Sequence, residues 1–131
     1  MKRAWWIAVA IAYAAGIFAG SSIPLRELPL LPASGLDKLI HAVEYALFFF
    51  IVRKAVGGRG WIPITIAILY AGTDELHQAF VPGRHAGIDD FAADLTGILL
   101  MAILTALVRD SPLLAGIRRR ILALVIWRKE D

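Results

Sequence analysis

Four long apolar segments follow one another along the chain, separated by short links rich in polar residues, glycine or proline. They cover residues 4–20, 39–56, 61–80 and 88–108. A helix needs about 20 mainly apolar residues to cross a hydrocarbon core of about 30 Å, and each segment comes close to that length. The pattern predicts an all-α integral membrane protein in which four helices form a transmembrane bundle.

Proline positions predict where these helices begin and end. Three prolines between residues 24 and 32 predict an extended link between the first and second helices. Pro63 falls in the first turn of the third helix, where the missing N–H does no harm. Pro82 ends that helix and separates it from the fourth.

The two termini extend this picture. Residues 111–131 combine a basic cluster with an apolar run too short to span. They predict a basic amphipathic C-terminal helix on the cytoplasmic membrane surface, or equally a solvated helix packed on the bundle ends. Residues 1–110 form the transmembrane domain. Its start, Met-Lys-Arg followed by an apolar run, resembles a signal peptide, but its length and the three further segments favour an uncleaved anchor.

Composition and charge agree with a membrane protein. Hydrophobic residues make up 59% of the chain and charged residues only 19%, against about 25% charged in soluble domains. The absence of cysteine excludes disulfides and thiolate metal sites. The net charge of +3 indicates the orientation in the membrane rather than nucleic-acid binding. Eleven of the fourteen Lys and Arg residues fall on one side of the predicted bundle. Because basic residues are enriched on the cytoplasmic side, both termini are predicted to lie in the cytoplasm. These eleven are Lys2, Arg3, Arg53, Lys54, Arg59, Arg109, Arg118, Arg119, Arg120, Arg128 and Lys129.

Ionisable residues within the apolar segments gather at the opposite, outer end of the predicted bundle. They share one face of each helix at i, i+3 and i+4 spacings. A buried ionisable group costs about 2.5–3.5 kcal/mol at the centre of a span, so these faces should meet one another or line a hydrated pocket. The residues nearer water, Asp37, Lys38, His85 and Asp89, also fit an interfacial fringe, and His77 is expected to face lipid headgroups.

Two blocks of these residues, DKLIHAVEY (37–45) and DELHQAFVPGRHAGIDDFAADLTG (74–97), resemble the VanZ-like family, named for a teicoplanin-resistance protein. Asp94 stands where that family often has Asn. The resemblance implies a small protein of the bacterial cytoplasmic membrane linked to resistance against teicoplanin, a lipid-anchored glycopeptide that binds cell-wall precursors. The matched positions are Asp37, Lys38, His41, Tyr45, Asp74, Glu75, Gln78, Phe80, Pro82, Gly83, Arg84, Asp90, Asp94 and Gly97.

One hypothesis is an enzyme acting on a lipid headgroup or a lipid-linked envelope precursor. Glu75 is then the general acid or base and His41 its partner, with Asp74 and Asp90 as orienting carboxylates. Arg84 is expected to hold a phosphate or carboxylate. Reasonable ion pairs join His41 to Glu44 or Asp74, and Arg84 to Asp90, but the sequence alone does not assign them. Further binding positions are Asp37, Lys38, Glu44, Tyr45, Gln78 and Asp94.

The same residues also fit functions without turnover. One is a module that binds or shields a membrane lipid, a lipid-linked cell-wall precursor or the lipoglycopeptide. Another is a partner protein whose polar faces form a structural network. A transporter is disfavoured because the cytoplasmic halves of the helices offer no polar exit path. A divalent ion on His41, Glu44, Asp74, Glu75 and Asp90 is compatible with the donor types, but His-x-x-Glu spacing is common by chance, so the sequence predicts no metal site.

Overall fold

The computed structural model describes residues 2–24, 35–58, 60–84 and 86–110. These residues form four α-helices and no strand, which confirms the all-α prediction. The predicted C-terminal helix and His85 lie outside the described residues. The helices are α1 (Lys2–Ser21), α2 (Leu36–Val56), α3 (Ile62–Gln78) and α4 (Ile88–Asp110).

The helix boundaries follow from local chemistry. Pro63 lies in the first turn of α3, as predicted, because a proline there gives up no intrahelical hydrogen bond. Gly57 ends α2 in the left-handed region, with φ of 64°, a conformation that glycine adopts without steric cost. The turn at Pro82 follows α3, so the predicted break between the last two helices is confirmed.

Side-chain contacts fix how the helix ends meet. Near the N-terminus of α1, Arg3 donates hydrogen bonds to the carbonyls of Ala55 and Val56 at the end of α2, at 3.3 and 3.2 Å. At the opposite end, Lys38 of α2 lies 2.7 Å from Asp89 of α4. We call this second end the polar end; it holds the start of α2, the end of α3 and the start of α4.

The core is built around α2. Its buried aromatic residues, Tyr45, Phe48 and Phe49, pack with Ile98 of α4 and with small residues of α3. Phe48 meets the ring of Tyr70 with a centroid separation of 4.9 Å. Alanines on α3 allow close packing of the helices, a pattern typical of helix contacts in membranes.

The outer surface of the bundle is apolar. Large hydrophobic side chains are exposed on all four helices, among them Ile11, Leu47, Leu69 and Ile103. By length and composition, two helical stretches are apolar enough to cross a membrane, Lys2–Ser21 and Ile88–Val108. Beside its apolar core the bundle also buries polar side chains such as Asp74 and Asp94, while large apolar side chains cover its outer surface.

Candidate functional site

Three helices each contribute one ionisable side chain to a compact centre near the polar end. His41 comes from α2, Glu75 from α3 and Asp94 from α4, and one nitrogen or carboxylate oxygen from each lies within 4.8 Å of the others. His41 Nδ1 is 3.0 Å from Asp94 Oδ1. Asp94 is fully buried and Glu75 is only 8% exposed. We call these three residues the acidic–histidine centre.

A close crossing of α2 and α4 positions His41 against Asp94. A Cβ atom added to Gly97 would lie 1.9 Å from the carbonyl oxygen of Ala42, so glycine alone permits this approach. Ala42 adjoins His41 in sequence, and Gly97 lies one helical turn after Asp94. The crossing therefore brings the imidazole and the carboxylate within hydrogen-bonding distance.

Glu75 is oriented from the link between α3 and α4. The backbone N–H of Gly87 donates a hydrogen bond of 3.0 Å to Glu75 Oε2. Glu75 Oε1 and Asp94 Oδ2 are buried, and no hydrogen-bond partner for them lies among the described residues. Each carboxylate of the centre thus has one oxygen in contact with a polar protein atom and one without a hydrogen-bond partner among the described residues. Buried polar atoms rarely lack a partner.

A second polar group ties the link after α3 to α1. Gln78 donates to Asp74 Oδ2 at 3.0 Å and accepts from Arg84 at 3.3 Å. The guanidinium of Arg84 also donates to the carbonyls of Ile23 and Gly20, at 3.1 and 2.8 Å. Arg84 therefore donates to backbone carbonyls at and just after the end of α1, where carbonyls lack the regular helical partner.

A third polar group forms the rim of the polar end. Lys38 lies within ion-pair distance of Asp37, Asp89 and Asp90. Asp37 and Asp89 are exposed, whereas the side chain of Asp90 is 16% exposed. Lys38 links the start of α2 to the start of α4 and neutralises part of the acidic charge there.

Two open grooves border these groups. One, of about 370 Å³, lies between the end of α3 and the start of α4, with apolar walls that include Leu76 and Phe91 and with Glu75 as a charged wall residue. The other, of about 390 Å³, lies between α1 and α2 and contains Glu44 beside Tyr13. Of the acidic–histidine centre, Glu75 lines the first groove, which opens on the outer surface of the bundle.

The family model described as VanZ/LLP1 matches residues 3–109, which is most of the chain. The chain belongs to the VanZ/LLP1 family. No curated protein and no solved structure matches it. Membership confirms the resemblance carried by the two sequence blocks, 37–45 and 74–97.

The structure of this VanZ/LLP1 protein gathers both blocks at the polar end but pairs their residues differently from the sequence prediction. His41 pairs with Asp94, not with Glu44 or Asp74. Asp90 pairs with Lys38, and Arg84 with Gln78 and α1, so the predicted Arg84–Asp90 pair is wrong. The reason is depth: Asp94 lies one turn further into the bundle than Asp90, level with His41.

Two other predicted positions have different surroundings from those expected. His77 lies against α1 rather than toward headgroups: its Nε2 is 2.9 Å from Ser22 Oγ, and its ring stacks on Phe18. Tyr45 is fully buried in the core, with its hydroxyl lacking a partner among the described residues.

The sequence alone did not reveal the structural roles of Gly87 and Gly97 in the VanZ/LLP1 site. Gly87 supplies the N–H that orients Glu75, and Gly97 permits the α2–α4 crossing. A glycine one turn after a carboxylate, inside an apolar helix, was the available signal for a close helix contact.

Proposed function

We propose that the protein spans the bacterial cytoplasmic membrane four times, with the polar end facing outward and both termini in the cytoplasm. The apolar outer surface and the inward-facing polar residues support this arrangement. The excess of Lys and Arg in the sequence segments predicted to face the cytoplasm supports the orientation. The ionisable residues within α2 are also compatible with a membrane-spanning helix. His41 and Glu44 are partly buried rather than facing outward.

Cysteine labelling tests this topology, because the chain has no cysteine of its own. Phe80 at the polar end and Trp61 at the other end are 79% and 72% exposed. With a membrane-impermeant maleimide on intact cells, we expect Phe80→Cys to be labelled and Trp61→Cys to be labelled only after permeabilisation. Labelling of Trp61→Cys alone in intact cells would reverse the orientation.

We further propose that the acidic–histidine centre acts on the headgroup of a membrane lipid or a lipid-linked envelope precursor. The observation that carries this is the groove between α3 and α4, whose wall contains Glu75. Its apolar lining suits an acyl chain, and a headgroup bound beside Glu75 would lie close to the rest of the centre. The family link to teicoplanin resistance fits, because the precursors bound by that antibiotic lie on the same outer face.

The chemistry follows from the donors present. Glu75 accepts or donates a proton at the headgroup, since burial and a nearby histidine favour acid–base work near neutral pH. Asp94 holds the imidazole of His41 in a defined orientation, as carboxylates do in other catalytic pairs. The sequence has no serine-containing nucleophile motif, so any hydrolysis would use water or a metal.

Glu75→Gln tests turnover. We expect wild type to change the mass of a membrane lipid or lipid-linked wall precursor, and the variant to lose this activity at least about 100-fold, because an amide cannot transfer the proton. The measurement is mass spectrometry of lipid extracts from cells expressing each protein at matched levels, with thermal unfolding to verify the fold.

Asp89→Asn is the matched control, since it removes one carboxylate charge from the rim at a side chain that is 70% exposed. It is expected to retain the wild-type lipid profile. Identical profiles for wild type, both variants and cells lacking the protein would refute turnover.

A second candidate function is binding or partnership without turnover, with the polar residues serving as a structural network. The contacts of Arg84 favour it, because they join α1 to the α3–α4 link and use three of its donor nitrogens. In that case Glu75→Gln leaves the lipids unchanged, and the polar substitutions act on stability instead.

A further inference from the structure

We propose that the acidic–histidine centre is a binding site for a divalent transition-metal cation. Its three donors, a ring nitrogen of His41 and one carboxylate oxygen each from Glu75 and Asp94, come from three different helices yet lie within 4.8 Å of one another. The inference concerns cation binding itself and stands independently of whether the protein turns over a lipid.

The unpartnered oxygens are a separate observation that points to a ligand. Glu75 and Asp94 are 8% and 0% exposed, and Glu75 Oε1 and Asp94 Oδ2 have no hydrogen-bond partner among the described residues. Leaving a buried carboxylate oxygen without a partner is costly. His41 carries at most one positive charge against two carboxylates, whereas a divalent cation would balance both.

The remaining contacts resemble the supports of a metal site. Metal-binding carboxylates and imidazoles are usually oriented by hydrogen bonds through the atoms not bound to the metal. Glu75 Oε2 accepts from the Gly87 N–H, and Asp94 Oδ1 lies 3.0 Å from His41 Nδ1. These contacts hold the side chains and leave one oxygen of each carboxylate for a cation. His41 would bind the cation through the ring nitrogen that does not donate to Asp94.

The donor set selects the class of cation. One imidazole nitrogen with two carboxylate oxygens suits Zn²⁺ or Mn²⁺, whereas Ca²⁺ prefers six to eight oxygens. Bonds of about 2.1 Å at tetrahedral angles separate ligand atoms by about 3.4 Å. Donors now within 4.8 Å reach that spacing by small side-chain rotations. Three protein ligands leave a fourth position for water or a ligand headgroup.

Metal content and thermal stability test the site directly. The full chain is purified in detergent with a tag that contains no histidine, loaded with ZnCl₂ or MnCl₂, passed through gel filtration and analysed by inductively coupled plasma mass spectrometry. We expect about one ion per chain and a rise in Tm of about 5 °C or more, since a ligand that binds only the folded state stabilises it.

Isosteric substitutions identify the ligands. Asp94→Asn and Glu75→Gln are each expected to lower retained metal at least about 10-fold and to remove the Tm response. The matched control is Asp89→Asn, which removes one carboxylate charge from the exposed rim and lies outside the three-residue cluster; it should retain the ion. If one ligand variant fails to fold, the other decides the result.

Two outcomes would overturn the proposal. The first is folded wild-type protein that retains neither cation and shows no Tm response to either. The second is equal retention by wild type, Asp94→Asn and Glu75→Gln, which would mean adventitious binding elsewhere. Neither outcome bears on the lipid measurement, so failure of this site and failure of the proposed enzyme are distinguishable.

Discussion

Gly97→Ala is expected to destabilise the bundle severely and to reduce the yield of folded protein. The added Cβ would lie 1.9 Å from the carbonyl oxygen of Ala42 and 2.7 Å from its carbonyl carbon. Both partner atoms are backbone, so no side-chain rotation relieves the clash and α2 must move away from α4. Overpacking costs about 1–3 kcal/mol or more, against a total stability of about 5–15 kcal/mol.

The measurement is thermal unfolding in detergent, with Gly16→Ala in α1 as the control. Gly16 is also a helix-interior glycine, but among the described residues no atom outside its own helix lies within 4 Å of an added Cβ. Gly16→Ala should be neutral or stabilising by about 0.5–1 kcal/mol. Equal melting temperatures for the two variants would contradict the close crossing of α2 and α4.

A consequence for function follows from the same contact. Because the crossing holds His41 against Asp94, any Gly97→Ala protein that folds should have a disturbed acidic–histidine centre. Its lipid activity and its metal retention should therefore fall together, although Gly97 itself carries no functional group.

Arg84→Ala is expected to lower the free energy of unfolding by about 1.5–3 kcal/mol, the usual contribution of hydrogen bonds to a charged group. Arg84 donates to the carbonyls of Gly20 and Ile23 and to Gln78. Its loss releases the end of α1 from the link after α3. Partial exposure of these contacts to solvent argues against a larger effect. Thermal or denaturant unfolding in detergent measures the change.

Arg84→Lys separates geometry from charge. Lysine keeps the positive charge but not the planar set of donors that reaches three acceptors, so it should restore only a minor part of the lost stability. The opposite result, with Arg84→Ala as stable as wild type but without lipid activity, would support the ligand-holding role that the sequence alone assigned to Arg84.

The sequence by itself determined the four-helix architecture and the end of the bundle at which the polar residues gather. Apolar runs of about 20 residues define four helices, and the break at Pro82 follows from backbone sterics. Alternation of direction along the chain then puts the start of α2, the end of α3 and the start of α4 together. These are local properties, so a single sequence carries them.

Only the tertiary structure decided which polar residues meet. Helical periodicity gives the face on which His41, Asp90 and Asp94 lie, but not the rotation, depth or crossing of one helix against another. Those follow from close packing at sites such as Gly97 against Ala42. This contact sets the depth of α4 against α2, and at that depth Asp94 rather than Asp90 lies beside His41. Arg84 likewise binds carbonyls at the end of α1. Every residue has a backbone carbonyl, so the sequence does not show which carbonyls an arginine will bind.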